Sequence, residues 1–182
     1  DCENYRECSF AAGGDLYYHI GIRGRGGSVC YTQKRYLKLK FPRGHEFLDR
    51  RKLNLQSMWT DKALVREHLS WELFGEMANP YCTHDYIRLH ANGAYFGLYA
   101  AFEHPDERYL DRNGLYSDGN LYKATASTEQ VGGTYEEETN QDGDMSDLTA
   151  FLSALHATPA SGLVNFFKAN VDQDVMIDYQ AA

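Results

Sequence analysis

Residues 86–103 read YIRLHANGAYFGLYAAFE, the strongest local signal in the chain. Asn92-Gly93 divides two strand-like runs, and both residues tolerate the positive φ that a type I′ hairpin turn demands. The stretch predicts two antiparallel strands joined by a two-residue turn. Just upstream, residues 62–77 predict a helix, with Thr60 or Asp61 as N-cap and Asn79-Pro80 as the stop. Its apolar residues, Leu64, Val65, Leu69, Trp71, Leu73, Phe74 and Met77, are not confined to one stripe. That spread predicts a helix buried on most sides, packed across a sheet through Leu69 and Leu73.

Further upstream, residues 34–41 (KRYLKLKF) alternate, with Leu37, Leu39 and Phe41 on one side and Tyr36, Lys38 and Lys40 on the other. Residues 15–23 (DLYYHIGIR) form a second strand-like run after a Gly13-Gly14 turn. These two segments and the hairpin arms are expected to share one antiparallel sheet. Downstream, residues 120–123 predict a short strand, and residues 125–146 read as an exposed polar loop. A helix over residues 146–156 and helical turns over 162–182 close the chain. Strands, helix, hairpin and then helices make an α+β domain.

The length of 182 residues suits a single domain, at roughly 150 residues per domain. Eighteen Lys and Arg against 26 Asp and Glu leave a net charge of −8, which argues against a nucleic-acid partner. No apolar run approaches the ~20 residues of a membrane span. The chain begins at Asp1 and reads as processed or cut from something longer. Cys2, Cys8, Cys30 and Cys82 lack zinc-type spacing and suggest bridges formed in an oxidising compartment. Cys2 and Cys8 are expected to be bridged, to each other or to Cys30 and Cys82, tying down an N-terminal arm that would otherwise be loose.

The residues that could carry chemistry begin with a glycine loop, Arg23-Gly24-Arg25-Gly26-Gly27-Ser28. Glycines let the backbone approach a phosphate, and the arginines and serine add donors. By itself the loop matches no complete phosphate motif and reads more readily as a tight hairpin turn. Lys34 follows it on a strand, with Glu67 and Glu72 on the next helix. In kinase folds a strand lysine holds phosphates and a helix glutamate holds the lysine. Glu138, Asn140, Asp142, Gly143 and Asp144 imitate the start of a calcium loop, but position twelve would be Thr149, so they read as a polar cap for the next helix. The seven histidines include no H-x-x-x-H or H-E-x-x-H pattern, and His84 and His104 read as ordinary surface or hairpin residues.

In order, Gly21 to Ser28, Lys34 to Phe41, Leu53-Asn54-Leu55, Asp61 with Leu64 to Glu67, Arg88-Leu89 with Asn92-Gly93, Gly97-Leu98-Tyr99 with Glu103, and Gly119-Asn120-Leu121-Tyr122-Lys123 resemble successive motifs of one family. The sequence resembles the CotH family, named for a spore-coat protein kinase. The resemblance implies an atypical, secretory-type kinase fold: an antiparallel sheet lobe with a packed helix, followed by part of a helical lobe. It implies ATP and Mg2+, phosphotransfer to serine of a coat or surface protein, and a secreted or cell-surface location. By motif position it implies Lys34 as the phosphate lysine, with Lys38 in reserve, and Glu67 as its ion-pair partner, with Glu72 in reserve. Arg23, Arg25, Gly26, Ser28, Glu103 and Lys123 complete the implied nucleotide site.

The family pattern continues with an Asp and Asn and then a W-D-x-D-like stretch that carry catalysis and metal. No Trp follows Trp71, and Asp172, Asp174 and Asp178 fall just upstream of that stretch. The expectation is a domain truncated at its C-terminus and inactive by itself. The alternative is a non-catalytic extracellular module of the same fold that acts by adhesion or assembly.

Overall fold

A computed structural model describes residues 2–125, 135–141 and 143–181, omitting the side chains of Ser28 and Val29. The chain forms two compact units, one of Asp1–Glu72 with Cys82–His104, the other of Leu73–Tyr81 with Pro105–Ala182.

In the first unit, two-residue periodicity becomes a six-stranded antiparallel sheet. Its strands are β1 (Arg6–Ala12), β2 (Asp15–Arg25), β3 (Tyr36–Lys40), β4 (Lys52–Gln56), β5 (His84–Ala91) and β6 (Ala94–Glu103). Their order is β1-β2-β3-β4-β6-β5. Asn92 and Gly93 both take positive φ (51° and 81°), making the expected hairpin turn between β5 and β6. The expected shared sheet is therefore present.

In this sheet, two strands escaped the sequence reading. The N-terminal arm is not loose: β1 pairs along β2 across the Gly13-Gly14 turn, both glycines at positive φ. A register shift between Cys8 and Phe10 breaks its alternation and hides the pattern. The short β4 places Leu53 opposite Leu39 and Asn54 opposite Lys38.

One face of this sheet is the core. Ile20, Leu39, Leu53, Leu55, Tyr99 and Ala101 are buried there with Phe41, joined by Phe10, Tyr17 and Phe47. The register puts Arg23, Lys38, Asn54 and Phe102 in a row on the opposite, more polar face. A disulfide joins Cys2 to Cys30. Cys8 and Cys82 are free, so the expected bridge at Cys8 is not made. Cys8 packs instead against the core as a small apolar residue.

Helix α1 (Arg66–Glu76) begins later than residue 62 because Leu64 takes a positive φ of 59° and breaks the helical path. Asp61 bridges the break: its carboxylate accepts from the amides of Ala63 (3.0 Å) and Arg66 (2.8 Å). The Arg66 amide in particular holds the Asp61 carboxyl below its ordinary value. The expectation of a helix buried on most sides, docked through Leu69 and Leu73, fails. No α1 residue is buried, and Leu69 and Leu73 are 60% and 42% exposed. Leu64 and Trp71 make the contact instead, against Met58, Ala100 and Phe102. Glu67 and Trp71 lie four apart on one helix face, while Leu69 turns away from it.

The second unit holds α2 (Glu107–Arg112), β7 (Tyr122–Ala124), β8 (Tyr135–Glu137), α3 (Ser146–Ala157), α4 (Leu163–Asn170) and α5 (Gln173–Ala181). Within residues 125–146, read as a loop, β8 pairs with β7. Thr139 is also fully buried there; its hydroxyl donates to Gly119 O and accepts from the Leu121 amide, both at 2.8 Å. One buried hydroxyl thus organises the Gly119–Lys123 motif from a segment too polar to read as packed. Asp142 lies outside the described residues; Asp144 accepts from the Ser146 amide as a helix cap, matching the polar-cap reading. Among the described residues, no helix is long and apolar enough to cross a membrane.

Candidate active site

The polar sheet face gathers cations because adjacent antiparallel strands place their facing residues on one side. Lys38 Nζ donates to His104 Nε2 at 3.1 Å, and the Asn54 amide lies 3.3 Å from His104 Nδ1. Asn54 and His104 are 3% and 5% exposed, so this is a buried polar group anchored by the middle residue of Leu53-Asn54-Leu55. His104 is no ordinary surface residue.

Arg25 stands opposite Tyr36 at the end of β2, where Gly26 (φ 84°) turns the chain out of the sheet. Glu67 reaches this corner from α1 and accepts from Gln56 Nε2 at 2.7 Å. Burial pushes the Glu67 carboxyl above its ordinary value, while hydrogen bonds from Gln56 and Trp71 and the charge of Arg25 pull it back. Tyr36 is pushed up by burial and by the Glu67 charge, and Arg25 opposes that shift. Arg25 and Glu67 therefore share one electrostatic neighbourhood.

Lys34 goes elsewhere. Its ammonium donates to the carbonyls of Ser57 (3.0 Å) and Leu98, and sits 4.8 Å from the centre of the Tyr99 ring. Burial lowers its pKa. Among the described residues no ion pair joins Lys34 to Glu67, contrary to the expectation. Lys34 lies outside β3, so the strand's alternation does not aim it, and the nearest open carbonyls take its protons.

Arg23 is held by the N-terminal segment, donating to Cys2 O at 2.6 Å with its guanidinium 5.2 Å from the Tyr5 ring centre. Gly21 admits that ring, since a Cβ there would lie 3.0 Å from Tyr5 Cδ1. Glu103 is 5% exposed and accepts from the amide (3.1 Å) and hydroxyl (3.3 Å) of Thr83.

Over residues 22–182 the chain matches the family described as CotH kinase protein. It belongs to the CotH family. The CotH chain is also 24% identical over 175 residues to the inner spore coat protein H of Bacillus subtilis (strain 168), an alignment covering 87% of the chain. It spans 46% of that relative's length, about half.

Within this CotH chain, the other expected site residues belong to the second unit or have side chains outside the described part. Lys123 belongs to the second unit and pairs with Glu136 at 2.6 Å across the β7–β8 ribbon. Ser28 opens a 3-10 turn at Ser28–Tyr31, and its side chain lies outside the described part. Asp172 accepts from the Val175 amide at the start of α5, and Asp178 from Asn79 at 3.5 Å. Sequence reading missed His104 and Asn54. The signal available was a polar residue between two core leucines: Asn54 could sit on a strand's second face only with a buried partner.

Proposed function

We propose that this CotH domain is the phosphate-binding part of a protein kinase that passes the ATP γ-phosphate to serine on coat or surface proteins. The supporting observation is one shared sheet face: Arg25 and Lys38 stand on neighbouring strands, Asn54 stands beside Lys38, and Glu67 of α1 reaches the Arg25 corner. Phosphoryl transfer requires positioned cations around the phosphates more than it requires covalent chemistry. In this reading Arg25 and Lys38 meet phosphate oxygens and Glu67 orients the cationic corner. The backbone after Gly26 approaches the phosphates, and Lys34 holds the strand ends in place. A carboxylate-bearing helix against a cation-bearing sheet is also what favours a kinase-like lobe.

Mg2+ enters as the companion of the ATP phosphates. Glu67 and Glu103 are both engaged within the protein, and we assign no residue as its ligand. The test is incubation of the natural polypeptide carrying this domain with γ-labelled ATP, Mg2+ and a serine-rich coat protein. Labelled phosphoserine is expected, reduced about 100-fold or more in Lys38→Ala while the circular dichroism spectrum stays that of the folded domain. Undiminished labelling in Lys38→Ala would overturn the assignment of Lys38, and loss of labelling in Lys34→Ala without loss of stability would return the phosphate to Lys34.

A second reading, a non-catalytic assembly or adhesion module, draws on Arg23 and Lys34, which donate to the protein's own carbonyls. Saturable binding to a coat layer without any phosphoserine would select it.

A further inference from the structure

On α1, His68 and Glu72 stand four residues apart and so share a helix face. His84 opens β5 beside them, and one ligand atom from each of the three lies within 4.8 Å of the others. The His84 side chain is 4% exposed. Its ring stacks on Phe102 (centroids 5.4 Å apart) and meets the His68 ring edge-on at 4.4 Å, so it cannot swing to solvent. Its Nδ1 lies 3.2 Å from Cys82 O, and a carbonyl only accepts. The ring proton is therefore on Nδ1, and Nε2 presents a lone pair. That lone pair faces Glu72 Oε1 at 3.6 Å.

His84 Nε2 and His68 Nδ1 are both buried without a hydrogen-bond partner. An imidazole lone pair facing a carboxylate oxygen calls for a cation between them, and His68 brings a third ligand atom within the same 4.8 Å. A proton would serve His84 and Glu72 alone and leave His68 orphaned, whereas a metal ion serves all three.

We propose that His68, Glu72 and His84 form a binding site for a divalent transition metal of the zinc class. Two imidazoles and one carboxylate suit zinc, cobalt or nickel better than magnesium or calcium, which prefer oxygen alone. Tetrahedral zinc would leave the fourth position to water. Its ligand atoms sit about 3.4 Å apart, by the usual bond lengths, and the His84–Glu72 pair at 3.6 Å is already near that spacing. The carbonyl of Cys82 then fixes the His84 tautomer, as metal-bound histidines ordinarily require. The ion would clamp α1 to β5, one turn from Glu67. The site does not depend on the kinase reading.

The metal-stripped chain is titrated with Co2+ and then Zn2+. One equivalent of Co2+ should give the visible d–d bands of a low-symmetry nitrogen–oxygen site, without the intense near-ultraviolet thiolate band, and Zn2+ should displace it and raise the melting temperature. His68→Asn and His84→Asn should each weaken Zn2+ binding by about 100-fold or more. Glu72→Ala, at the surface and safe for folding, should weaken it and alter the cobalt bands. Absence of saturable uptake, a thiolate band, or unchanged binding in Glu72→Ala combined with His68→Asn would each overturn the proposal.

Discussion

The ammonium of Lys34 lies over the face of Tyr99, 4.8 Å from the ring centre. Tyr99 is fully buried, its phenol pushed up to about 12 by burial, and its hydroxyl donates to Arg35 O at 3.1 Å. The lysine and the following residue thus grip the same tyrosine from its face and its tip. The contact joins two CotH motifs far apart in sequence and accounts for Gly97, because a Cβ there would lie 3.0 Å from Lys34 Cε.

Lys34→Met keeps much of the stem but leaves the Ser57 and Leu98 carbonyls without their donor. It should cost about 1–3 kcal/mol. Gly97→Ala meets both the lysine stem and a φ of 154°, and should cost a similar ~1–3 kcal/mol. Combined with Lys34→Ala, Gly97→Ala should cost less than the sum, by more than ~0.5 kcal/mol. Urea denaturation of the four proteins in the cycle measures this, and strict additivity would deny the contact.

Glu67 has a folded pKa raised mainly by burial. For an acid raised in this way, the native state binds more protons than the unfolded chain between the two pKa values. Its contribution is most favourable below the unfolded carboxylate pKa and is lost as pH rises through the folded one. Glu67→Gln retains an oxygen for Gln56 to donate to. Its melting temperature should exceed wild type at neutral pH, and the gap should close as pH falls into the ordinary carboxylate range. A gap that widens in acid would reverse the sign.

The Cys2–Cys30 bridge spans 28 residues of sequence. Loop closure of that length restricts the unfolded chain by about 3–4 kcal/mol. Cys2→Ser should lose most of that and free the segment that holds Arg23. In the denatured, unreduced protein, thiol titration should find Cys8 and Cys82 alone; four thiols would deny the bridge.

Thr139→Val is nearly isosteric but strands the Gly119 carbonyl and the Leu121 amide. Two orphaned groups in a fully buried site predict a loss of about 2–4 kcal/mol. Hydrogen exchange should show the Leu121 amide losing protection first, while the amides of β3 keep theirs. Equal loss in β3 would mean that the effect is not local.

Much of this architecture was legible in neighbouring residues. The alternation of residues 36–41 and the Asn92-Gly93 turn determined the sheet's inside and its hairpin, since strand period and positive φ are properties of adjacent positions. The family motifs likewise marked the right strands and helix. Tertiary structure alone decided which cation meets which carboxylate. Lys34 precedes β3, where no periodicity aims a side chain, and its ammonium took the carbonyls left open near β4 and β6. Arg25 came to Glu67's corner because β2–β3 register sets it opposite Tyr36. Likewise, the H-x-x-x-E spacing of His68 and Glu72 is visible in the chain, but their convergence on His84 exists only where α1 packs beside β5. Local sequence specifies direction along an element; which residues of separate elements meet is set by the packing that buries the most apolar surface.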